Sequence, residues 1–331
     1  MAEAARGKGT MKAMVRRTYG GPEVLELAEV EKPEVTDDGV LVRVRASSIN
    51  RGDWYGLTGK PLVTRPMIGL FKPKSELFGG DFAGTVEAVG KDVTDLEPGD
   101  EVFGGRSGAF AEYVNVRTGV TRKPANFTFE EAAAVPIGAL TALQGLRDKG
   151  GLQRGQKVLI NGASGSVGTF AVQIAKALGA HVTAVCSTRN VEIARTLGAD
   201  RVVDYTKEDF TRTGESYDLL LDIAGSKSWS ACKRVLEPNG ILVMVGAEPR
   251  SRLLGPLGHT LWLRLRAMLS RRRATFFIAK FNRPDMAVLR ELCESGKIRP
   301  VVDERYDLSQ IGDALRSMGE GHVQGKLVVT L

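Results

Sequence analysis

Apolar positions along this chain fall into two regimes. Over 12–136 they come as short alternating or β-branched runs, at 13–16, 40–45, 84–89, 101–103 and 110–116. Turn-forming clusters separate them: Asp38-Gly39, Glu97-Pro-Gly-Asp100 and Gly104-Gly105. Strand-length runs with such punctuation predict an all-β, partly open barrel. Over 137–281 apolar runs alternate with helical periodicity. Strands are predicted at 158–160, 181–186, 201–204, 218–222, 241–245 and 275–279, with helices at 169–178, 192–197 and 227–235. That alternation predicts an α/β, doubly wound parallel sheet. The tail, 282–331, carries predicted helices at 285–295 and 309–318, the second N-capped by Ser309, and a closing strand at 326–331. Residues 1–11 read as a flexible extension.

The most informative stretch is Lys157-Val-Leu-Ile-Asn-Gly-Ala-Ser-Gly-Ser-Val-Gly168. A buried strand leads into Gly162, Gly165 and Gly168, and a helical pattern follows until Gly179 stops it. Strand, glycine turn and helix together form a cradle for a nucleotide diphosphate. Small residues let backbone N–H groups approach the pyrophosphate, and the helix N-terminus adds partial positive charge. Three glycines alone are weak evidence, and the flanking strand and helix make the motif specific. The competing reading is an ordinary strand–turn–helix corner.

The next strand, 181–186, sharpens the cofactor. An NAD site wants an acidic residue near its end, to hold the ribose 2′-hydroxyl. Here Ser187-Thr188-Arg189-Asn190 follows, with no acid before Glu192. Hydroxyls and a guanidinium suit a 2′-phosphate, so the expected cofactor is NADPH rather than NADH. The alternative leaves Arg189 as solvated surface and Ser187 as a helix cap.

Composition narrows the class. At 331 residues and 43% hydrophobic, the chain can bury a sizeable core. No apolar run reaches the roughly 18 residues a membrane span needs. The first ten residues lack the apolar core of a secretory signal. Cys186, Cys232 and Cys293 are odd in number and far apart, which fits free thiols in a reducing cytoplasm. Net charge is +7, yet 249–284 contains nine Lys and Arg and no Asp or Glu. The basicity therefore sits in one insertion, 249–273, and its margin. That argues against a nucleic-acid-coating surface. Leu254, Leu257, Leu261, Leu265, Met268 and Leu269 recur there near helical spacing, beside Trp262 and after Pro256. The stripe reads as a peripheral helix, a lid or dimer contact, or a weak lipid-surface contact.

Several motifs carry a family resemblance. They are Ala46-Ser-Ser-Ile-Asn-Arg-Gly-Asp53, Gly79-Gly-Asp-Phe-Ala-Gly-Thr-Val-Glu-Ala-Val-Gly90, Leu96-Glu-Pro-Gly-Asp-Glu-Val-Phe103, Ala139-Leu-Thr-Ala142, the glycine turn, Leu197-Gly-Ala-Asp-Arg-Val-Val-Asp-Tyr205 and Gly321-His-Val-Gln-Gly-Lys326. In this order, from Met11 onward, they resemble the medium-chain dehydrogenase/reductase superfamily, in its zinc-free quinone oxidoreductase-like branch. The resemblance implies a GroES-like β-barrel domain, from 12–136 and 282–331, joined to a Rossmann domain, 137–281. The active site is expected in the cleft between them.

Zinc members need Cys and His donors in the β domain. The first 180 residues contain neither, and the zinc enzymes' glycine–histidine–glutamate motif reads Gly79-Gly80-Asp81. No zinc is expected. Without a Lewis acid, the hydride acceptor must carry its own electron sink. Quinones and α,β-unsaturated carbonyls do. The expected activity is their NADPH-dependent reduction. A non-catalytic NADPH-binding protein and a zinc-free alcohol dehydrogenase remain as alternatives.

The motifs also nominate residues. Ser164, Gly165, Ser166, Val167 and Gly168 are expected to meet the pyrophosphate through backbone N–H groups. Ser187 and Arg189 are expected to face the 2′-phosphate, and the resemblance adds Tyr205. Ala224-Gly225 and Val245-Gly246 follow strands and should line the nicotinamide ribose. Thr141 is placed on the nicotinamide side. The turn from His322 through Gly325 to Lys326 resembles a cofactor-touching loop. Asn50, Asp53 and Tyr55 match the family's active-site floor, Tyr55 being either a proton donor or cleft packing, and Asp53 a backbone-orienting group. A homodimer is what the family implies.

Overall fold

The structure, a computed structural model, describes residues 9–246, 255–270, 272–321 and 323–331. His322 and Leu254, singled out above, lie outside the described residues, as do Arg250, Arg252 and Arg271 of the basic stretch.

The chain begins with β1 (Thr10–Arg16) and β2 (Leu25–Glu31), an antiparallel pair. Then come β3 (Val40–Ile49), α1 (Arg51–Thr58), α2 (Arg65–Ile68), β4 (Asp81–Val89), β5 (Glu101–Gly105), β6 (Tyr113–Val116) and β7 (Val120–Arg122). Helices α3 (Phe129–Ala133) and α4 (Pro136–Leu143) lead out of this region. The alternating part runs β8 (Lys157–Asn161), α5 (Ser166–Ala177), β9 (His181–Cys186), α6 (Val191–Thr196), β10 (Arg201–Asp204), β11 (Tyr217–Asp222), α7 (Trp229–Arg234), β12 (Leu236–Met244), α8 (Gly255–Leu269) and β13 (Arg273–Phe276). The chain ends with α9 (Arg283–Glu294), β14 (Val302–Asp307), α10 (Ile311–Glu320) and β15 (Lys326–Thr330).

Two main sheets result. One is parallel throughout, in the order β10-β9-β8-β11-β12-β13. The other is mixed, in the order β14-β15-β3-β4-β5-β7, with β6 also on β3. The two chain ends meet there: β15 pairs antiparallel with β3, setting Leu327 opposite Ile49. The parallel order is that of a dinucleotide-binding sheet. Its switch point lies between β8 and β11, where the chain reverses direction of growth. Val158, Leu159 and Ile160 are wholly buried, as the continuous apolar run requires of a central strand covered on both faces.

Several boundaries differ from the sequence reading. The last parallel strand spans Arg273–Phe276, not 275–279. Pairing sets its position: β13 hydrogen-bonds beside Ile241 to Met244, so the strand ends where β12 ends, and the apolar run beyond has no partner strand. Pro238-Asn239-Gly240, a turn-forming sequence, is carried inside β12, where the register with β11 shifts. Ser309 is not an N-cap. It sits inside a short 3-10 turn, Leu308–Gln310, and Gln310 occupies the cap position of α10.

In α8, Leu263 and Ala267 are buried, while Leu261, Trp262, Leu265, Met268 and Leu269 face outward. Leu263 and Ala267 belong to the apolar cluster of Leu220, Leu242 and Met244. The packed face is therefore not the leucine stripe read from the sequence. Trp229 Nε1 donates to Ser270 Oγ at 3.1 Å, which ties the end of α8 to α7. No described helix is long and apolar enough to cross a membrane.

Candidate active site

The glycine turn sits at the carboxyl end of β8. Gly162 has φ +93°, a left-handed conformation that side chains rarely adopt. A Cβ on Gly168 would stand 2.1 Å from the Gly162 carbonyl oxygen, so only glycine permits that closure. Gly165 occupies the N-cap of α5, and the first turn is Ser166-Val167-Gly168. The first N–H groups of a helix have no intrahelical acceptor, so this turn presents donors to an anion.

Beside it opens a cleft of about 460 Å³, lined by Ser164, Ser187, Thr188, Arg189, Asn190, Tyr205, Thr206, Gly321 and Val323. Ser164, Ser187, Arg189 and Tyr205, chosen from separate parts of the sequence, converge here. Asn190, which sequence reasoning missed as a site residue, organises the wall. Its Nδ2 donates to Ser164 Oγ at 2.9 Å and to Ser187 Oγ at 3.1 Å. Gln324 Nε2 in turn donates to Asn190 Oδ1 at 2.9 Å, and Gly325 N to Ser164 O at 2.9 Å. The returning loop is thus docked on the glycine turn. Asp204 ends β10 close by. Its carboxylate accepts from Thr188 Oγ1 at 2.6 Å and from Thr206 Oγ1 at 2.7 Å, and these hydroxyls hold its pKa down to about 2. The acid therefore fixes Thr188 and Thr206, both lining residues.

At the switch point, Asn161 Nδ2 donates to Asp222 Oδ1 at 2.8 Å, and Gly225 N donates to the same oxygen at 2.9 Å. Val245 N donates to the Asp222 carbonyl at 2.9 Å. Ala224-Gly225 and Val245-Gly246 therefore do share the carboxyl end of the sheet. Thr141 lies on α4, its hydroxyl donating to Ile137 O at 2.7 Å. Cys186, Cys232 and Cys293 are buried and unbridged, and burial raises each thiol pKa, to about 11 for Cys186. None is poised as a nucleophile.

A second cleft, of about 310 Å³, lies where α1 faces Ile137 of α4 and Phe281. Arg16, Gly52, Asp53, Gly56, Phe78 and Arg106 help line it. Helix α1, absent from the sequence reading, supplies much of this wall. Asp53 Oδ2 accepts the backbone N–H of Asn50 at 2.8 Å, which holds the helix start. Burial raises the Asp53 carboxyl to about 7 against that hydrogen bond.

Behind this cleft lies a polar knot. Asp81 is wholly buried and its carboxylate accepts four hydrogen bonds: from Ser48 Oγ at 2.9 Å, Asn50 Nδ2 at 3.0 Å, Ile137 N at 2.9 Å and Lys326 Nζ at 3.0 Å. Lys326 Nζ also donates to Asn50 Oδ1 at 2.6 Å. Two expectations change here. Lys326 is not on the cofactor loop's surface, since its side chain is wholly buried in this knot. Asn50 has its amide engaged by Asp81 and Lys326. Tyr55 is half-buried and is not among the described residues that line the cleft, although burial does raise its phenol pKa.

The knot also decides whether zinc fits. Asp81 stands where the zinc enzymes' motif would place a glutamate, with Gly80 in place of the histidine, and four donors already surround its carboxylate. Among the described residues no group of three or more His, Cys, Asp or Glu is arranged to hold a metal. Among the described residues, the donor set around Asp81 does not fit the ion.

Comparison with known proteins agrees with this architecture. Residues 36–125 match the alcohol dehydrogenase GroES-like domain, and residues 197–329 match a domain described as zinc-binding dehydrogenase. The mitochondrial NAD(P)H oxidoreductase RTN4IP1 of Mus musculus is 34% identical, over 97% of this chain and 89% of that protein. The 2-methylene-furan-3-one reductase of Solanum lycopersicum is 32% identical, over 96% of this chain and 79% of that protein. The structure of the quinone oxidoreductase from Coxiella burnetii superposes with a TM-score of 0.86 at 30% identity, covering 98% of this chain and all of that one. Fold and clefts are those of a two-domain protein, a GroES-like β domain joined to a Rossmann domain. The chain belongs to the medium-chain dehydrogenase/reductase superfamily, in its quinone oxidoreductase-like branch.

Proposed function

We propose that this protein is an NADPH-dependent reductase of quinones or α,β-unsaturated carbonyls that works without zinc. The observation that carries the reading is the convergence of Ser187, Thr188, Arg189 and Tyr205 on one cleft beside the glycine turn. In this reading the backbone of Ser164, Gly165, Ser166, Val167 and Gly168 holds the pyrophosphate. Ser187, Arg189 and Tyr205 hold the 2′-phosphate, and Asn190 keeps Ser164 and Ser187 in place. Ala224, Gly225, Val245 and Gly246 border the ribose, and Thr141 the nicotinamide. When bound, the nicotinamide supplies a hydride to a conjugated acceptor whose own oxygen takes up the charge. The cleft between α1 and α4 receives that acceptor and keeps water from it. The names of the relatives point the same way, being those of quinone and enone reductases.

Further assignments belong to this reading: the domain limits 12–136 with 282–331 and 137–281, a cytoplasmic setting, and a homodimer joined at the edge of the parallel sheet. The test is a panel of ortho- and para-quinones, enones and enals, each run with NADPH and NADH, with and without a strong zinc chelator. NADPH oxidation that exceeds the NADH rate and survives the chelator is expected. Chelator-sensitive turnover, or no turnover with any acceptor, would overturn the proposal.

A further inference from the structure

Arg16 closes β1 and lines the acceptor cleft. It is only 8% exposed. Its Nε and Nη1 are shut off from solvent, and neither has a hydrogen-bond partner. A buried charge without hydrogen bonds is costly, and folded chains normally pair it. Here the neighbours support the guanidinium's position more than they neutralise it. The guanidinium carbon lies 5.0 Å from the centroid of the Phe78 ring. Phe78 is held in turn by Phe110, edge to face, at 5.0 Å. Asp53 is the acid that shares the cleft, and its carboxylate is committed to the amide of Asn50. Tyr19 is also nearby, with its hydroxyl donated to Gly69 O at 2.7 Å. Burial lowers the Arg16 pKa, and Asp53 and Tyr19 only partly oppose that. An arginine nonetheless stays charged at any ordinary pH.

We propose that Arg16 supplies the positive charge in the wall of the acceptor cleft that stabilises the acceptor oxygen as negative charge develops on it. This rests on the reductase reading above. A bound reduced nicotinamide would supply hydride to the β-carbon of an enone, or to a ring position or oxygen of a quinone, and would itself be left as the oxidised cation. The displaced π electrons would pass to the remaining carbonyl oxygen of the acceptor. A solvent proton then completes the product. Arg16 donates no proton. Its fixed positive charge, already desolvated, interacts more strongly with the oxygen in the transition state than with the neutral carbonyl. The same geometry explains Gly56. A Cβ there would stand 3.1 Å from Arg16 Nη1, so the glycine leaves room for the guanidinium.

The test uses the full-length protein and two readouts. The first is kinetic. Arg16→Ala is expected to lower kcat and kcat/KM for a neutral enone together, on the order of a hundredfold. Its NADPH affinity should stay unchanged. Arg16→Lys, which keeps the charge and loses the planar fork, should recover part of the rate. Gly56→Ala keeps the arginine and shifts its guanidinium by a few tenths of an ångström, and should lower the rate by a smaller factor than Arg16→Ala. It remains informative if Arg16→Ala does not fold. The second readout needs no turnover. Para-nitrophenol, in a buffer just below its own pKa, should bind the wild-type protein as the yellow phenolate, a stable mimic of the charged oxygen. Folded Arg16→Lys and Gly56→Ala should show a reduced yellow fraction.

Wild-type rates in folded Arg16 and Gly56 variants would overturn the proposal, as would a loss confined to KM or a phenolate shift that survives the substitutions. Failure of the reductase reading looks different. The wild-type protein would then bind no NADPH while still drawing para-nitrophenol into its charged form.

Discussion

Lys326 Nζ stands 3.0 Å from Asp81 Oδ2, with neither side chain exposed to solvent. This ion pair joins the last strand to a strand laid down some 245 positions earlier. Removing one partner leaves the other charge buried and unpaired, at a cost of about 3–5 kcal/mol. Lys326→Met is therefore expected to shift the denaturant midpoint strongly downward. The double variant Lys326→Met/Asp81→Asn should recover part of the loss, and chemical denaturation of the three chains checks it.

Gly168 is constrained by backbone rather than by a side chain. Gly168→Ala would drive its Cβ against the Gly162 carbonyl, and an alanine side chain has no torsion that relieves this. Destabilisation of at least about 1–3 kcal/mol is expected, from overpacking. NADPH affinity should fall along with it, because relief of the clash opens the turn. Calorimetric melting and a fluorescence titration with NADPH measure the two effects. Unchanged melting would remove the structural half of the claim.

Asp53 makes a prediction about pH with a definite sign. Its carboxyl is raised to about 7 in the folded protein, against about 3.9 in an unfolded chain. Between these values the folded state holds the proton more tightly. The stabilisation this provides is fully present below the unfolded pKa and is lost as pH rises through about 7. Wild-type stability should thus decline relative to Asp53→Asn across that window, by at most about 1.4 kcal/mol per pH unit. Denaturation curves of both proteins at several pH values decide it. A difference that stays flat would mean the carboxyl titrates as an ordinary surface acid.

Arg189 tests the cofactor. Arg189→Ala removes a charge-assisted contact worth roughly 1.5–3 kcal/mol. The NADPH-over-NADH preference is then expected to fall by about tenfold to a hundredfold. The maximal rate should change much less. Dissociation constants for both nucleotides supply the answer, and an equal loss for both would mark Arg189 as structural.

Hydrophobic periodicity and turn chemistry are local properties, and they determined much by themselves. The parallel strands, the glycine turn and the convergence of Ser187 with Arg189 all follow from residues within one or two elements of each other. The lack of His and Cys in the first 180 residues needed only counting. What the tertiary structure alone decided was non-local. Asn50, Asp81 and Lys326 meet only because β15 returns to β3, and no periodicity in one segment reports a partner far away in the chain. Helix α1 escaped the reading because Arg51-Gly-Asp53 is a poor helix former. It is held instead by a side-chain cap and by tertiary packing, with Leu57 wholly buried. Arg16 looked like the polar end of a short strand. Only folding placed its charge out of water beside a cleft, because burial depends on what the rest of the chain stacks around a residue.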